Sequence, residues 1–210
     1  MASTKDLAIQ QGKTFSLVIR WETEPIIFRP ITNISFAFGA PRLTVAGHGC
    51  PPGWRAAVTR VKSPKQINAV NNPLKASDYH AVTVIDANTV ELNDLTPVDD
   101  NGSEWPAYTE GGFLQFLTPI DITGYSARMK IKDKVGGTVL ASTEAGDSSL
   151  NVLTIALDAA NKTITLSIAA TATDDFAWTK GVYDLEMVSP TGVVTTVLSG
   201  KVSVTKEVTA

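Results

Sequence analysis

Two histidines and a single cysteine are the residues most capable of nucleophilic chemistry in this chain. His48 and Cys50 are two positions apart, so on a strand their side chains would point to the same side. A cysteine nucleophile needs a base within hydrogen-bond reach and a third group that orients the base. The surrounding Gly49-Cys50-Pro51-Pro52 is instead typical of a turn, so we expect a structural role for this pair.

Two acidic segments are the other candidates for chemistry. Residues 99–104, Asp-Asp-Asn-Gly-Ser-Glu, offer oxygen ligands around a glycine, a composition that suits calcium, but they lack the alternating spacing of a calcium loop. We interpret them as a solvated acidic loop. Asp174 and Asp175 are adjacent, and adjacent residues on a helical turn do not face each other, so a shared acid–base site is not expected. No catalytic residue, metal or cofactor is therefore assigned, and we expect a protein that is not an enzyme.

Composition narrows the class of protein further. The 210 residues carry a formal charge of −3 and no cluster of lysine and arginine, which disfavours nucleic acid as a partner. A single cysteine excludes an internal disulfide and a cysteine-based zinc site. No signal peptide and no apolar run long enough to cross a membrane is recognisable, so we expect a product made in a reducing cytoplasm, with no membrane partner.

Short alternating runs of β-branched and aromatic residues, ended by Gly, Pro, Asn or Asp, predict an all-β fold with strands at the spacing of a β-sandwich. Helical signals are limited to single turns near residues 66–71 and 171–177. The predicted strands are residues 15–21, 42–46, 55–61, 80–85, 89–92, 125–132, 163–168, 182–188, 193–198 and 201–208, the last of these as a charged edge strand.

The middle of the chain differs from both ends. Between about Ser35 and Leu117 the lysine-rich alternation stops, and this segment holds most of the prolines and both histidines. We therefore predict a discontinuous β-sandwich domain, residues 1–34 and 118–210, with a small β-barrel, residues 35–117, inserted in a strand-to-strand loop.

The outer segments resemble a known family. Residues 6–15, Asp-Leu-Ala-Ile-Gln-Gln-Gly-Lys-Thr-Phe, and then residues 119–125, Pro-Ile-Asp-Ile-Thr-Gly-Tyr, are similar to the N-terminal β-sandwich domain of the upper baseplate proteins of siphophages. Residues 181–186 and 192–200 continue the pattern in the expected order, and the resemblance covers about half of the chain.

The middle segment resembles a second pattern. His48-Gly49, Trp54, residues 84–92 and residues 107–112 are similar to a small barrel of phage structural proteins. That barrel is compared in shape with the first catalytic-cysteine half-domain of ubiquitin-activating enzymes, and the resemblance implies no ubiquitin chemistry. The stretch at residues 64–68 departs from the family's glycine-containing stretch.

These resemblances imply a structural component of a bacteriophage virion, from its tail or baseplate, made in the host bacterial cytoplasm. Its expected partners are other phage structural proteins and copies of itself, in symmetric assembly. A capsid decoration, head-fibre or neck protein is the first alternative, and a module that binds a host surface glycan is the second, with Trp54, Trp105 and Tyr108 as the residues to test. Residues 5–11 and 201–208 are candidates for strand pairing with a neighbour. The candidate interface residues are Trp54, Trp105, Tyr108, Lys130, Lys132, Lys201, Val202 and Val204.

Overall fold

The computed structural model describes residues 3–207, and its regular structure is almost entirely β. Strands make up 49% of the chain and helices 8%, which confirms the all-β fold class. The strands are β1 (Ser3–Thr4), β2 (Leu7–Gln10), β3 (Phe15–Arg20), β4 (Glu22–Pro30), β5 (Asn33–Ser35), β6 (Arg42–Thr44), β7 (Arg55–Val61), β8 (His80–Asp86), β9 (Thr89–Leu92), β10 (Gly111–Pro119), β11 (Ser126–Lys132), β12 (Val139–Ser142), β13 (Leu153–Asp158), β14 (Thr163–Ile168), β15 (Lys180–Val188) and β16 (Val194–Thr205). The helix α1 spans Ala170–Asp174, and short 3₁₀ turns span Lys65–Ile67, Ala76–Asp78 and Ala145–Leu150.

The chain divides into two compact units. Unit 1 contains the residues up to Trp21 and those from Asp121 onward, and unit 2 is Glu22–Ile120. The N-terminal boundary of unit 2 therefore lies between residues 21 and 22, earlier than the predicted boundary between residues 34 and 35. The reason is that β4 pairs along its length with β10, from Glu22 opposite Pro119 to Pro30 opposite Phe113, so residues 22–34 belong with the inserted segment.

Unit 1 contains a six-stranded sheet in the order β1-β16-β15-β11-β12, with β2 also paired to β16. β1 and β2 both run parallel to β16, whereas β16, β15, β11 and β12 are antiparallel neighbours. The chain passes from β1 to β2 at Lys5 and Asp6, directly beside Gly200. A side chain at Gly200 would collide with the main-chain oxygen of Lys5, so this close approach requires glycine.

The second sheet of unit 1 has three antiparallel strands in the order β13-β14-β3. Ile164, Leu166 and Ile168 alternate with half-buried threonine and serine along β14, and all three are buried. They lie opposite apolar residues of β3, with Leu166 opposite Leu17 and Ile164 opposite Ile19. Both sheets of unit 1 thus have one apolar face, as a β-sandwich requires.

Unit 2 is built on a seven-stranded sheet in the order β4-β10-β7-β8-β9-β6-β5. Its core is a single cluster that includes Trp54, Leu114, Phe116, Leu43 and Leu92, all completely buried. The pairing order describes one sheet with β4 and β5 at its two ends. That this sheet closes into the expected small barrel remains a proposal.

Local structure follows the sequence pattern with instructive exceptions. The two C-terminal strands expected at residues 193–198 and 201–208 form one continuous strand, β16, through Ser199 and Gly200; Val208 lies outside the described residues. The expected helical turn near residues 66–71 is a 3₁₀ turn, and the one near 171–177 is α1. No helix within residues 3–207 is long and apolar enough to cross a membrane.

Candidate assembly surfaces

His48 and Cys50 are close together, but His48 is committed to the backbone. Its Nδ1 accepts the main-chain N–H of Cys50 at 3.0 Å, and its Nε2 lies 2.8 Å from the carbonyl oxygen of Asp86. Since Nδ1 accepts a hydrogen bond, the proton of the ring lies on Nε2, which donates to the Asp86 carbonyl. With both nitrogens engaged, His48 cannot act as a base for the Cys50 thiol in this arrangement. It fastens the turn at residues 46–50 to the end of β8.

The other titratable groups are dispersed. His80 pairs with Asp94 at 3.2 Å on the surface of unit 2. Asp174 ends α1, and its main-chain oxygen accepts a hydrogen bond from the Gln11 amide at 2.6 Å. Within residues 3–207, no three His, Cys, Asp or Glu side chains lie close enough to share a metal ion.

The acidic segment considered for calcium forms a small hairpin, which we call the 98–104 hairpin. Val98 and Glu104 form an antiparallel bridge, and the Asp99 carboxylate accepts the N–H groups of Asn101 at 2.9 Å and Ser103 at 2.8 Å. Asp99 therefore closes the loop in which it lies. The carboxylates of Asp100 and Glu104 are exposed beside it.

The three aromatic residues named for a test of glycan binding, Trp54, Trp105 and Tyr108, all belong to the core of unit 2 or pack against it. Trp54 is 0% exposed in the core of unit 2, so its expected role at an interface is wrong: burial of its large apolar ring stabilises the core instead. Trp105 packs edge-on against Phe36, with ring centroids 6.1 Å apart. The Tyr108 hydroxyl lies 3.0 Å from the carbonyl oxygens of both Ile31 and Gly111, and its single proton is shared between these acceptors, so it links two chain segments.

The expected edge position of the C-terminal strand is also wrong. β16 lies inside its sheet, with β15 on one side and β1 and β2 on the other. Because alternate residues of a strand point to opposite faces, Val202 and Val204 face the core and are buried, while Lys201 is exposed. Two valines proposed for an interface therefore stabilise unit 1, and deletion of residues 201–210 would remove an interior strand. The other segment proposed for pairing, residues 5–11, contains β2, which does lie beside β16 at the edge of the sheet.

The three lysines proposed for an interface share the outward face of the six-stranded sheet. The register places Lys132, Val182 and Lys201 side by side on β11, β15 and β16, and we call these three residues the lysine row. In the next row, Lys130, Asp184 and Ser199 lie side by side on the same three strands. In the third row, Arg128 lies opposite Glu186. The sheet therefore carries cations on β11 and, in two rows of three, a carboxylate beside them on β15.

The cations of those two rows, Arg128 and Lys130, form ion pairs. Arg128 Nε lies 2.7 Å from Glu186, which raises the pKa of the guanidinium. Lys130 Nζ lies 2.8 Å from Glu144 and 3.0 Å from Asp147, and these hydrogen bonds, the one to Glu144 foremost, raise the pKa of its ammonium group. A hydrogen bond from Ser142 and then the one from Lys130 lower the pKa of Asp147, with a smaller contribution from the charge of Lys132.

A groove runs over this face with a volume of about 690 Å³. Its walls carry five cationic side chains and three carboxylates, so it is a basic surface on a protein whose formal charge is −3. The hairpin that joins β11 to β12 contributes Lys134 and Val135, the latter 91% exposed. Grooves of this volume accommodate small molecules or a few side chains of a partner.

Neither the comparison with protein-family models nor the comparison with curated proteins gives a match for this chain.

Sequence reasoning singled out the lysines but not Val182. Val182 lies beside Lys132, fifty positions earlier in the chain, and beside Lys201, nineteen positions later. No local pattern of the sequence encodes these two pairings. The sequence did contain a signal for the acidic segment around the 98–104 hairpin, because residues 76–127 contain nine aspartate and glutamate residues and no lysine or arginine.

Proposed function

We propose that this protein is a structural component of a bacteriophage virion, most directly of the tail or baseplate, and that it acts through contacts between subunits. The proposal is supported by the resemblance of residues 6–15 and 119–125 to the β-sandwich domain of siphophage upper baseplate proteins. A capsid decoration, head-fibre or neck protein would use the same kind of surface.

The structural observation that carries the proposal is the open edge of the three-stranded sheet in unit 1. β3 is an edge strand, with the sequence Phe-Ser-Leu-Val-Ile-Arg, six residues long and without proline or lysine. Val18 in its centre is 48% exposed. Monomeric proteins usually protect such edges with lysine, proline or a bulge, because an unpaired apolar strand recruits another strand. An edge left in this form fits a protein that works in contact with neighbours.

Immunogold electron microscopy of purified particles tests the location, with mass spectrometry of the same particles. Label at the tail tip or along the tail is the expected result. Label on the head or collar would move the protein to the alternative class, and the copy number per particle would then distinguish a decoration from a neck component. Absence from the particles would overturn the proposal.

A substitution tests the edge itself. We expect Val18→Lys to reduce incorporation into particles, because a charge in the middle of an edge strand blocks pairing with a neighbour. Val70→Lys is the matched control, since Val70 is also an exposed valine but lies outside any strand. Equal incorporation of the two variants would show that the β3 edge has no part in assembly.

A further inference from the structure

Resting on the proposed assembly role, we propose that the lysine row binds the 98–104 hairpin of a second copy of this chain, in a head-to-tail contact. The contact would join the groove of unit 1 in one copy to unit 2 of the next.

The lysine row is the one row of the three without a carboxylate on β15. In the other two rows a carboxylate of β15 lies beside a cation of β11, Asp184 beside Lys130 and Glu186 beside Arg128. In the lysine row the equivalent position is Val182, so Lys132 and Lys201 flank an uncharged, half-buried side chain. Neighbouring strands are about 4.8 Å apart, which places the backbones of the two lysines roughly 10 Å apart across Val182.

These two lysines have no ion-pair partner in the part of the chain that the structure describes. The ion pairs of this face are made by Arg128 and Lys130. Lys134, at the rim of the groove, adds a third ammonium group without such a partner. The site therefore presents two ammonium groups, neither in an ion pair with a described residue, on either side of an apolar floor, and its complement is a pair of carboxylates beside a small apolar residue.

The 98–104 hairpin supplies that complement. Asp100 and Glu104 are exposed and make no ion pair with any described residue, and Val98 is an exposed valine in the same hairpin. Hydrogen bonds of Asp99 to Asn101 and Ser103 fix the loop, so little conformational entropy is lost when it binds. The segment that carries the hairpin is also acidic, since residues 76–127 contain nine aspartate and glutamate residues and no lysine or arginine.

The charge of the two units favours a second copy as the occupant. Unit 2 has ten carboxylates against seven lysines and arginines, whereas unit 1 has eleven of each. A contact between different surfaces of identical subunits is heterologous, and it produces a ring when the rotation closes. Each copy would then offer one groove and one hairpin.

Sedimentation velocity of the full chain at low salt, over a range of concentrations, tests the contact. We expect concentration-dependent association that is lost at about 1 M salt, where the Debye length falls to roughly 3 Å. The Lys132→Ala/Lys201→Ala and Asp100→Asn/Glu104→Gln variants should each associate about tenfold more weakly. A wild-type chain that sediments as a monomer throughout would overturn the inference.

Mixing the two double variants separates head-to-tail contact from any other. Each variant keeps one half of the interface, so an equimolar mixture should form a 1:1 dimer and nothing larger. A mixture that associates no more strongly than either variant alone would place the contact elsewhere.

A single substitution tests the charge gap directly. Val182→Glu supplies the missing carboxylate within the chain and should abolish association, whereas Val182→Thr, which keeps the β-branched shape without charge, should leave it intact. Identical behaviour of the two variants would refute the lysine row as the site. These outcomes are independent of particle location, so a protein absent from virions could still pass them, and a virion protein could fail them.

Discussion

The hydroxyl of Tyr183 donates a hydrogen bond of 2.7 Å to the main-chain carbonyl of Lys5. Tyr183 lies on β15 opposite Gly200 of β16, and Lys5 passes over Gly200, so the absence of a side chain there allows the carbonyl to come within reach. The main-chain N–H of Lys5 donates to Ser199, and the Asp6 carboxylate accepts the N–H of Lys201. Together these bonds attach the N-terminal strands to the sheet.

The first prediction concerns this hydrogen bond. Tyr183→Phe should lower the free energy of unfolding by about 0.5–1.5 kcal/mol, the usual net contribution of one hydrogen bond. The loss should be local, so hydrogen exchange of the β1 and β2 amides should accelerate more than that of β14. Uniform acceleration across unit 1 would contradict an attachment role.

The second prediction is that the folded protein loses stability at alkaline pH through ionisation of Tyr183. Burial, aided by the nearby carboxylates of Asp6 and Asp184, raises its pKa from 10.0 to about 12. Between these values the unfolded chain releases the phenolic proton while the folded chain retains it, so stability is present below pH 10 and falls as the pH rises toward 12. Urea unfolding across this range should show a smaller pH slope for Tyr183→Phe than for the wild type. Equal slopes would exclude Tyr183 as the source.

Gly200→Ala should destabilise unit 1 by displacing the segment at Lys5, because the added carbon would collide with main-chain atoms that cannot rotate away. Gly146→Ala is the matched control, since a side chain there meets open space and the backbone has no positive φ. Thermal melts of the two variants provide the comparison. A melting temperature for Gly200→Ala equal to that of Gly146→Ala would mean that the close approach has no energetic consequence.

We also expect the folded protein to lose stability at acidic pH through protonation of Asp78. Its carboxylate accepts the N–H of Lys75 at 2.7 Å and those of Val70 and Asn71 at 3.1 and 3.3 Å. The bond from Lys75 is the foremost cause of a pKa below the ordinary 3.8. A lowered pKa adds stability that is fully present above the ordinary value and is lost as the pH falls through the folded-state value.

Asp78→Asn tests this directly. The amide cannot accept from all these donors at once, so the variant should melt at a lower temperature at neutral pH and should lose less than the wild type on acidification. Asp175→Asn is the control, because that carboxylate is exposed and lies outside the proposed contact. If the two variants show the same acid dependence, the loop closed by Asp78 does not contribute.

His48 should behave as a structural residue. His48→Ala leaves the N–H of Cys50 and the carbonyl of Asp86 without their partner, and we expect a loss of about 2–4 kcal/mol in the free energy of unfolding. Cys50→Ala should cost about 1 kcal/mol, through lost buried volume and loss of the weak contact of its Sγ with the Pro51 carbonyl. Nitrogen-15 NMR of the wild-type imidazole should show the neutral tautomer protonated at Nε2. A tautomer protonated at Nδ1 would contradict the assignment.

Much of the local structure could be predicted because each strand carries its own alternation. Thr163–Ile168 is a strand with the expected inward residues, and the turn at residues 189–192 closes with a hydrogen bond from Gly192 to Ser189. β4 was not predicted, because Pro25 and Pro30 weaken the strand signal of its sequence. A strand tolerates both prolines when it lies at the edge of a sheet, as β4 does. The boundary of the inserted unit moved for the same reason.

Pairing between distant segments could not be predicted, and the candidate site depends on it. The sequence shows Lys132 and Lys201 as members of alternating strands, but only the register brings them to the same row. The same limit explains the wrong edge assignment of β16, since parallel pairing with β1 and β2 has no local signature. Trp54 was misplaced because a tryptophan after a turn is equally compatible with a core and a surface.

The parallel pairing of β2 with β16 also determines when each unit can fold during synthesis. The six-stranded sheet joins residues 7–10 to residues 202–205, so it cannot close until almost the whole described chain has left the ribosome. Glu22–Ile120, by contrast, is continuous and contains its own core, so unit 2 can fold first while the N-terminal strands wait for their partner. β3 pairs with β14 at residues 163–168, so it too has no partner until most of the chain has been synthesised.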